Sequence, residues 1–136
     1  MQNLGINVGD ESDVQRHTVT VDDVLAFADL TGDHEPIHVD EEFARSTPYG
    51  KRLVHGVLLI GMMADRLLLS DRVPPNVSYG YDKVRFLRPV PVDSTVLLSS
   101  RILEIREERR EVVVEESCKL EDGTLAVVAH HIFKFI

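Results

Sequence analysis

The alternation of apolar and polar positions divides the chain into a short strand, a group of helices and a strand-rich second half. Residues up to about Gln15 form a polar lead-in, and His17-Thr18-Val19-Thr20 is short and β-branched enough for a first strand. Thr20 is also placed to cap a helix. Asp22 and Asp23 would oppose the dipole in its first turn, and Val21, Val24, Leu25, Ala28 and Leu30 supply its apolar stripe before Gly32 stops it. From Asp33 to Val39 the periodicity is lost, and Pro36 removes a backbone donor while pushing Glu35 away from helical angles, which predicts a shaped loop. Asp40 to Ala44 reads as a short helix with acidic residues at its start, closed by Ser46-Thr47-Pro48-Tyr49-Gly50.

Gly56 to about Leu69 is apolar on nearly every face, so it must be wrapped, with Gly61 and Ala64 small enough to admit a close neighbour. A turn from Asp71 to Asn76, containing Pro74-Pro75, leads to a period-two pattern. Tyr79, Tyr81, Val84 and Phe86 fall on one predicted face, provided a β-bulge near Asp82-Lys83 absorbs a slip of one residue. Further strands are predicted at roughly 95–105, 111–120 and 125–135, with hairpin turns at Glu107 to Arg110 and Asp122-Gly123. The order, strand then helices then four antiparallel strands, makes this an α+β chain, with the apolar helix predicted as the only element able to cover one face of the sheet. No internal repeat or second domain is visible, so residues 1–136 read as one domain.

Composition narrows the function. With 136 residues there is room for a real core, and a sizeable ligand cavity is expected at the surface or at a subunit boundary. A formal net charge of −8 opposes general nucleic-acid binding. The single cysteine, Cys118, excludes an intramolecular disulfide and a Cys-based zinc site, and in a strand it reads as a small buried residue. The start MQNLGINVGDESD lacks the features of a signal or transit peptide, and the run from Val57 to Ala64 is too short to cross a bilayer. A cytoplasmic protein with no membrane partner is expected.

The candidate chemistry lies in TGDHEPIHVDEEFARST. Asp33 and His38 are five positions apart around Pro36, a spacing that misses a common helix face but suits a turn aiming two polar groups into one cavity. Alone, Asp33 would be a turn residue and His38 a surface histidine; together they suggest shared proton transfer. His55-Gly56 opens the apolar helix, placing free amides near the same cavity, where they could hold an oxyanion. His55 itself either fixes the loop or touches substrate. His34 reads as exposed loop. Met62, Met63 and Leu67 read as core, with an acyl pocket wall as the alternative. His130 and His131 are adjacent in a strand and must point to opposite faces, which is poor metal-ligand geometry.

The segments TGDHEPIHVDEEFARST, LVHGVLLIGMMADRLL and VRFLRPVPVDSTV together resemble the MaoC-like dehydratase family, which includes the (R)-specific enoyl-CoA hydratases. Asp33, Pro36, His38, His55 and Gly56 match its loop and helix motifs in order and spacing. The resemblance implies a hot dog fold, an antiparallel sheet wrapped around a long central helix, in a homodimer or higher homo-oligomer whose sheets join edge to edge. It also implies water addition to trans-2-enoyl thioesters, with (R)-3-hydroxyacyl thioesters as products. Asp33 and His38 would hold and activate the water, and the Gly56 amide, with His55 beside it, would bind the thioester oxygen. The substrate carrier would be coenzyme A or acyl carrier protein, with no metal and no further cofactor. Lys83, Arg85 and Arg88 are candidates for the coenzyme A phosphates, against the alternative of a merely solvated strand face. This chain departs from the pattern at Glu35, where many relatives have Asn, and at Ala64, where some hydratases carry a hydroxyl. A hot dog acyl-CoA thioesterase and a non-catalytic acyl-thioester-binding subunit are the competing functions.

Overall fold

The computed structural model describes residues 4–64 and 73–136. Strand β1 (Gln15–Thr18) leads into helix α1 (Val21–Thr31), then the short helices α2 (Pro36–Val39) and α3 (Glu41–Arg45), and then α4 (Gly56–Met62). Four strands follow, β2 (Asn76–Phe86), β3 (Thr95–Arg106), β4 (Glu111–Leu120) and β5 (Leu125–Phe135). All pairings are antiparallel, in the order β1-β3-β4-β5-β2. Leu59 of α4 and Met63 beyond it share one core cluster with Val84, Val96, Leu98, Cys118, Val127 and Ala129, so the four long strands curve around this helix in the hot dog arrangement.

Local chemistry sets the ends of these elements. Thr20 accepts from the Asp23 amide at 3.2 Å while the Asp23 carboxylate accepts from the Thr20 amide at 3.0 Å, a reciprocal cap. Gly32, at φ 83°, ends α1 and donates to the Ala28 carbonyl. The stretch expected as pure loop contains one helical turn, because Pro36 takes the first helical position, where its missing N–H costs nothing. Glu35 before it is extended, as anticipated.

Two expectations about the core change. Helix α1 also contributes, with Val24 in the same cluster and Val21 packed on it, so α4 does not cover the sheet alone. Helix α4 is described only to Met62, with Met63 as its C-cap; residues 65–69 of the expected helix, Leu67 among them, and 71–72 of the following turn lie outside the described residues. Val57 is exposed, so α4 is not wrapped on every face within one chain. Among the described residues nothing stands where a Cβ on Gly61 would be; the close approach occurs at Gly56.

Strand β2 carries the expected bulge between Tyr81 and Lys83 and a second between Ser78 and Gly80. Tyr81, Val84 and Phe86 pair with His131, Ala129 and Val127, alternate residues of β5, and so share one face as expected; Val84 reaches the core, while Tyr81 and Phe86, and Tyr79 in the second bulge, are exposed on this edge strand. Beyond the main cluster, Ile102, Val112, Val114, Phe133 and Phe135 form a second one with Leu4 and Val73. Buried Glu116 and His131 lie in strand positions between the two, with the His131 Nδ1 2.9 Å from the Glu116 carboxylate, its Nε2 bonded to Ser78 and its ring stacked on Tyr81 at 4.1 Å. No described helix is long and apolar enough to cross a membrane.

Candidate active site

The turn α2 and the loop entering α4 bring the predicted pair together. Asp33, His38 and His55 each place one donor atom within 4.8 Å of the others. His38 is half-buried, and its Nδ1 stands 2.7 Å from the Leu53 carbonyl, which can only accept. Nδ1 therefore carries the proton, and in the neutral ring the lone pair is on Nε2. His55 is held the same way by the opposite nitrogen, its Nε2 donating to the Asp33 carbonyl at 3.0 Å. The two imidazoles stack at 3.9 Å with 24° between planes, and Phe27 of α1 packs on His55 from 4.6 Å. His55 is buried and spends its hydrogen bond on the backbone of Asp33, so of its two expected roles the structure shows the one that fixes the loop. Its Nδ1 is buried and, among the described residues, without a partner.

Asp33 is oriented from its own loop, its amide donating to Thr31 and its carboxylate accepting from the Glu35 amide at 3.3 Å. The side chain of Glu35 is exposed, so the extra carboxylate faces solvent. His34 is exposed as expected and pairs with Asp29 at 2.9 Å, which raises its pKa. The three donor atoms are close enough to be bridged by a cation. However, the two rings lie nearly face to face, and a metal held by both must lie near both ring planes, which are offset here.

Gly56 begins α4, so its amide has no acceptor within the helix. A cavity of about 410 Å³ opens beside it, walled by Tyr49, Val57, Phe86, Arg88 and Val90 among others. A second, of about 460 Å³, lies between α1, β1 and α4 and includes Phe27, Leu58 and Met62. Of the three basic candidates only Arg88 lines the first cavity; Lys83 and Arg85 stand exposed on β2, and Arg85 turns back to the Val84 carbonyl. Ala64 is exposed just past α4.

Neither Phe27 nor Phe86 is among the site residues expected from sequence. Both sit in ordinary amphipathic patterns, and only the packing of α1 and β2 against the His55-Gly56 corner brings them to it. His130 and His131 do face opposite ways, each toward a glutamate of β4. Cys118 is buried, and burial pushes its thiol up to about 11.

Comparison with known proteins shows the family and the fold. The MaoC like domain model matches residues 5–124. The chain is 31% identical over 112 residues to 3-hydroxybutyryl-CoA dehydratase of Methylorubrum extorquens, covering 82% of this chain and 70% of that protein. It is 37% identical over 93 residues to 3-hydroxyacyl-thioester dehydratase Z of Mycobacterium tuberculosis, covering 66% of this chain and 62% of that one. Among solved structures, the (R)-hydratase from A. caviae involved in PHA biosynthesis superposes with a TM-score of 0.85 at 26% identity, over 96% of this chain and 98% of that one.

Proposed function

The chain belongs to the MaoC-like domain family, and from that premise we propose that it is a hydro-lyase that interconverts trans-2-enoyl and (R)-3-hydroxyacyl thioesters. The observation that carries this reading is the convergence of Asp33 and His38 on His55, the residue that precedes Gly56 at the start of α4. Relatives named as dehydratases and hydratases of hydroxyacyl and enoyl thioesters support it.

Hydration adds water to the β-carbon of a conjugated thioester, and negative charge builds on the thioester oxygen. The Gly56 amide, fixed at the helix start, is suited to meet that charge without reorganising. His38, with Nδ1 committed to Leu53, offers Nε2 to the water; the Asp33 carboxylate takes its second hydrogen. One of the pair removes a proton from the water as the C–O bond forms, and the pair returns a proton to the α-carbon as the enolate collapses, so that both side chains end as they began. Each such transfer is worth roughly 10²–10⁴-fold. Arg88 at the rim of the Gly56 cavity is the basic candidate best placed for a coenzyme A phosphate. The exposed edge of β2, with Tyr79 and Tyr81, supports a homodimer joined there.

The test is incubation of purified protein with short, medium and branched enoyl-CoAs, following loss of the conjugated absorbance and the configuration of the product. The expected product is the (R)-3-hydroxyacyl thioester. Free thiol release from saturated acyl-CoA, or ligand binding without turnover across the panel, would instead establish the thioesterase or binding-subunit reading.

A further inference from the structure

Building on that reading, we propose that Phe86 is a positioning residue that acts through Gly56, its ring setting how near the first residue of α4 lies to the sheet and hence where the thioester oxygen is held. Gly56 is not among the residues with positive φ, so backbone freedom is not the reason for glycine there. The reason is space. A Cβ on Gly56 would stand 2.5 Å from Cε1 of Phe86, 2.9 Å from Cζ and 3.0 Å from Cδ1. The Gly56 Cα therefore rests on the flank of that ring.

Both sides of this contact are held by main chain. Phe86 is the last residue of β2, paired with Val127, and the next two amides, of Leu87 and Arg88, both donate to the Ala126 carbonyl. On the other side, Val54 donates to the Val90 carbonyl at 2.8 Å and Leu53 bridges to Pro91, which fixes the approach to His55 and Gly56. The ring is thus a stop between two tethered segments. It is also 55% exposed and forms part of the wall of the 410 Å³ cavity. An aromatic placed only for core packing would be buried. This one spends one flank on the glycine and leaves the rest toward the space where the thioester is placed.

Misplacing a catalytic donor by an ångström is enough to cost ~10²-fold in rate. The test compares wild type, Phe86→Ala, Phe86→Leu, Gly56→Ala and the double variant, measuring kcat and KM for crotonyl-CoA, thermal unfolding and oligomeric size. Phe86→Ala should lower kcat ~10- to 100-fold with KM changed by less than about threefold, and Phe86→Leu should recover much of the loss. Gly56→Ala should lower the melting temperature in the Phe86 background and much less alongside Phe86→Ala, a non-additivity expected of residues in contact. An unchanged kcat, a change in KM alone, additive melting shifts, or loss of activity that tracks a change in oligomeric size would each overturn the proposal. The last of these would make Phe86 a contact between copies. A wild type inactive on every enoyl-CoA would sink the hydratase reading and this inference with it, whereas an active wild type with an indifferent Phe86→Ala would sink this inference alone.

Discussion

Each histidine of the site has one ring nitrogen committed to a main-chain carbonyl, and this decides what the other nitrogen can do. With Nδ1 held by Leu53, His38 has a lone pair only on Nε2 in the neutral ring, so removing the ring or neutralising its neighbour should slow proton transfer. Asp33→Asn and His38→Ala should each reduce hydration by ~10²–10⁴-fold with melting temperatures near wild type; retained activity in either would remove that residue from the chemistry. The buried pair Glu116 and His131 makes the opposite prediction. Glu116→Ala leaves the imidazole in the core without that acceptor, and should cost roughly 1–3 kcal/mol in urea unfolding, while replacing both partners by apolar residues should recover most of it. A cost below about 1 kcal/mol would show that the pair is not needed for stability. Cys118 gives a pH signature. Its thiol is raised to about 11 in the fold, so between about pH 9 and 11 the unfolded chain loses this proton while the folded one keeps it. The unfolded state then binds fewer protons, and stability falls as pH rises through that window. Cys118→Ala should remove this part of the alkaline loss, and identical wild-type and variant profiles would contradict it.

At the scale of elements, the chain carries its strongest signals where local chemistry acts alone. Thr20 with Asp23 at one end and Gly32 at the other specify α1 from side-chain to backbone bonds that need no tertiary partner, so the helix was legible to the residue. Thr20→Ala should cost ~1 kcal/mol in unfolding free energy, and no loss would mean that packing of Val24 and Ala28 alone fixes the start of the helix. The Asp33/His38 loop was legible through its motif, but α2 was not, since Pro36 serves as well to begin a turn of helix as to break one. The β2 bulge at Asp82 showed in the slipped alternation. The one at Tyr79 did not, because flanking Ser78 and Gly80 carry no apolar side chain to register a slip. The Glu116/His131 pair was hidden for a different reason. The two are diagonal neighbours across β4 and β5, His131 opposite Val114 and Glu116 opposite Ala129, a relation that exists only once the strands are in register.

For the molecule as a whole, the sheet order puts the site corner and the exposed edge of β2 side by side. The same strand ends at Phe86 beneath Gly56 and displays Tyr79 and Tyr81 along its open edge. Association of two copies through that edge would bring a second surface to the mouth of the Gly56 cavity. The α+β class could be anticipated from four strand-like segments after the helices and the hot dog topology from the resemblance to the MaoC-like family, whereas the cavities depend on how α1, α4 and β2 diverge, which no local pattern records. The most direct measurement is a crystal structure of the Asp33→Asn variant with crotonyl-CoA bound. The thioester oxygen should lie about 2.7–3.1 Å from the Gly56 nitrogen, with the β-carbon turned toward the substituted amide side chain and the Nε2 of His38. A thioester bound with its carbonyl away from Gly56, or its β-carbon out of reach of His38, would contradict the proposed reaction.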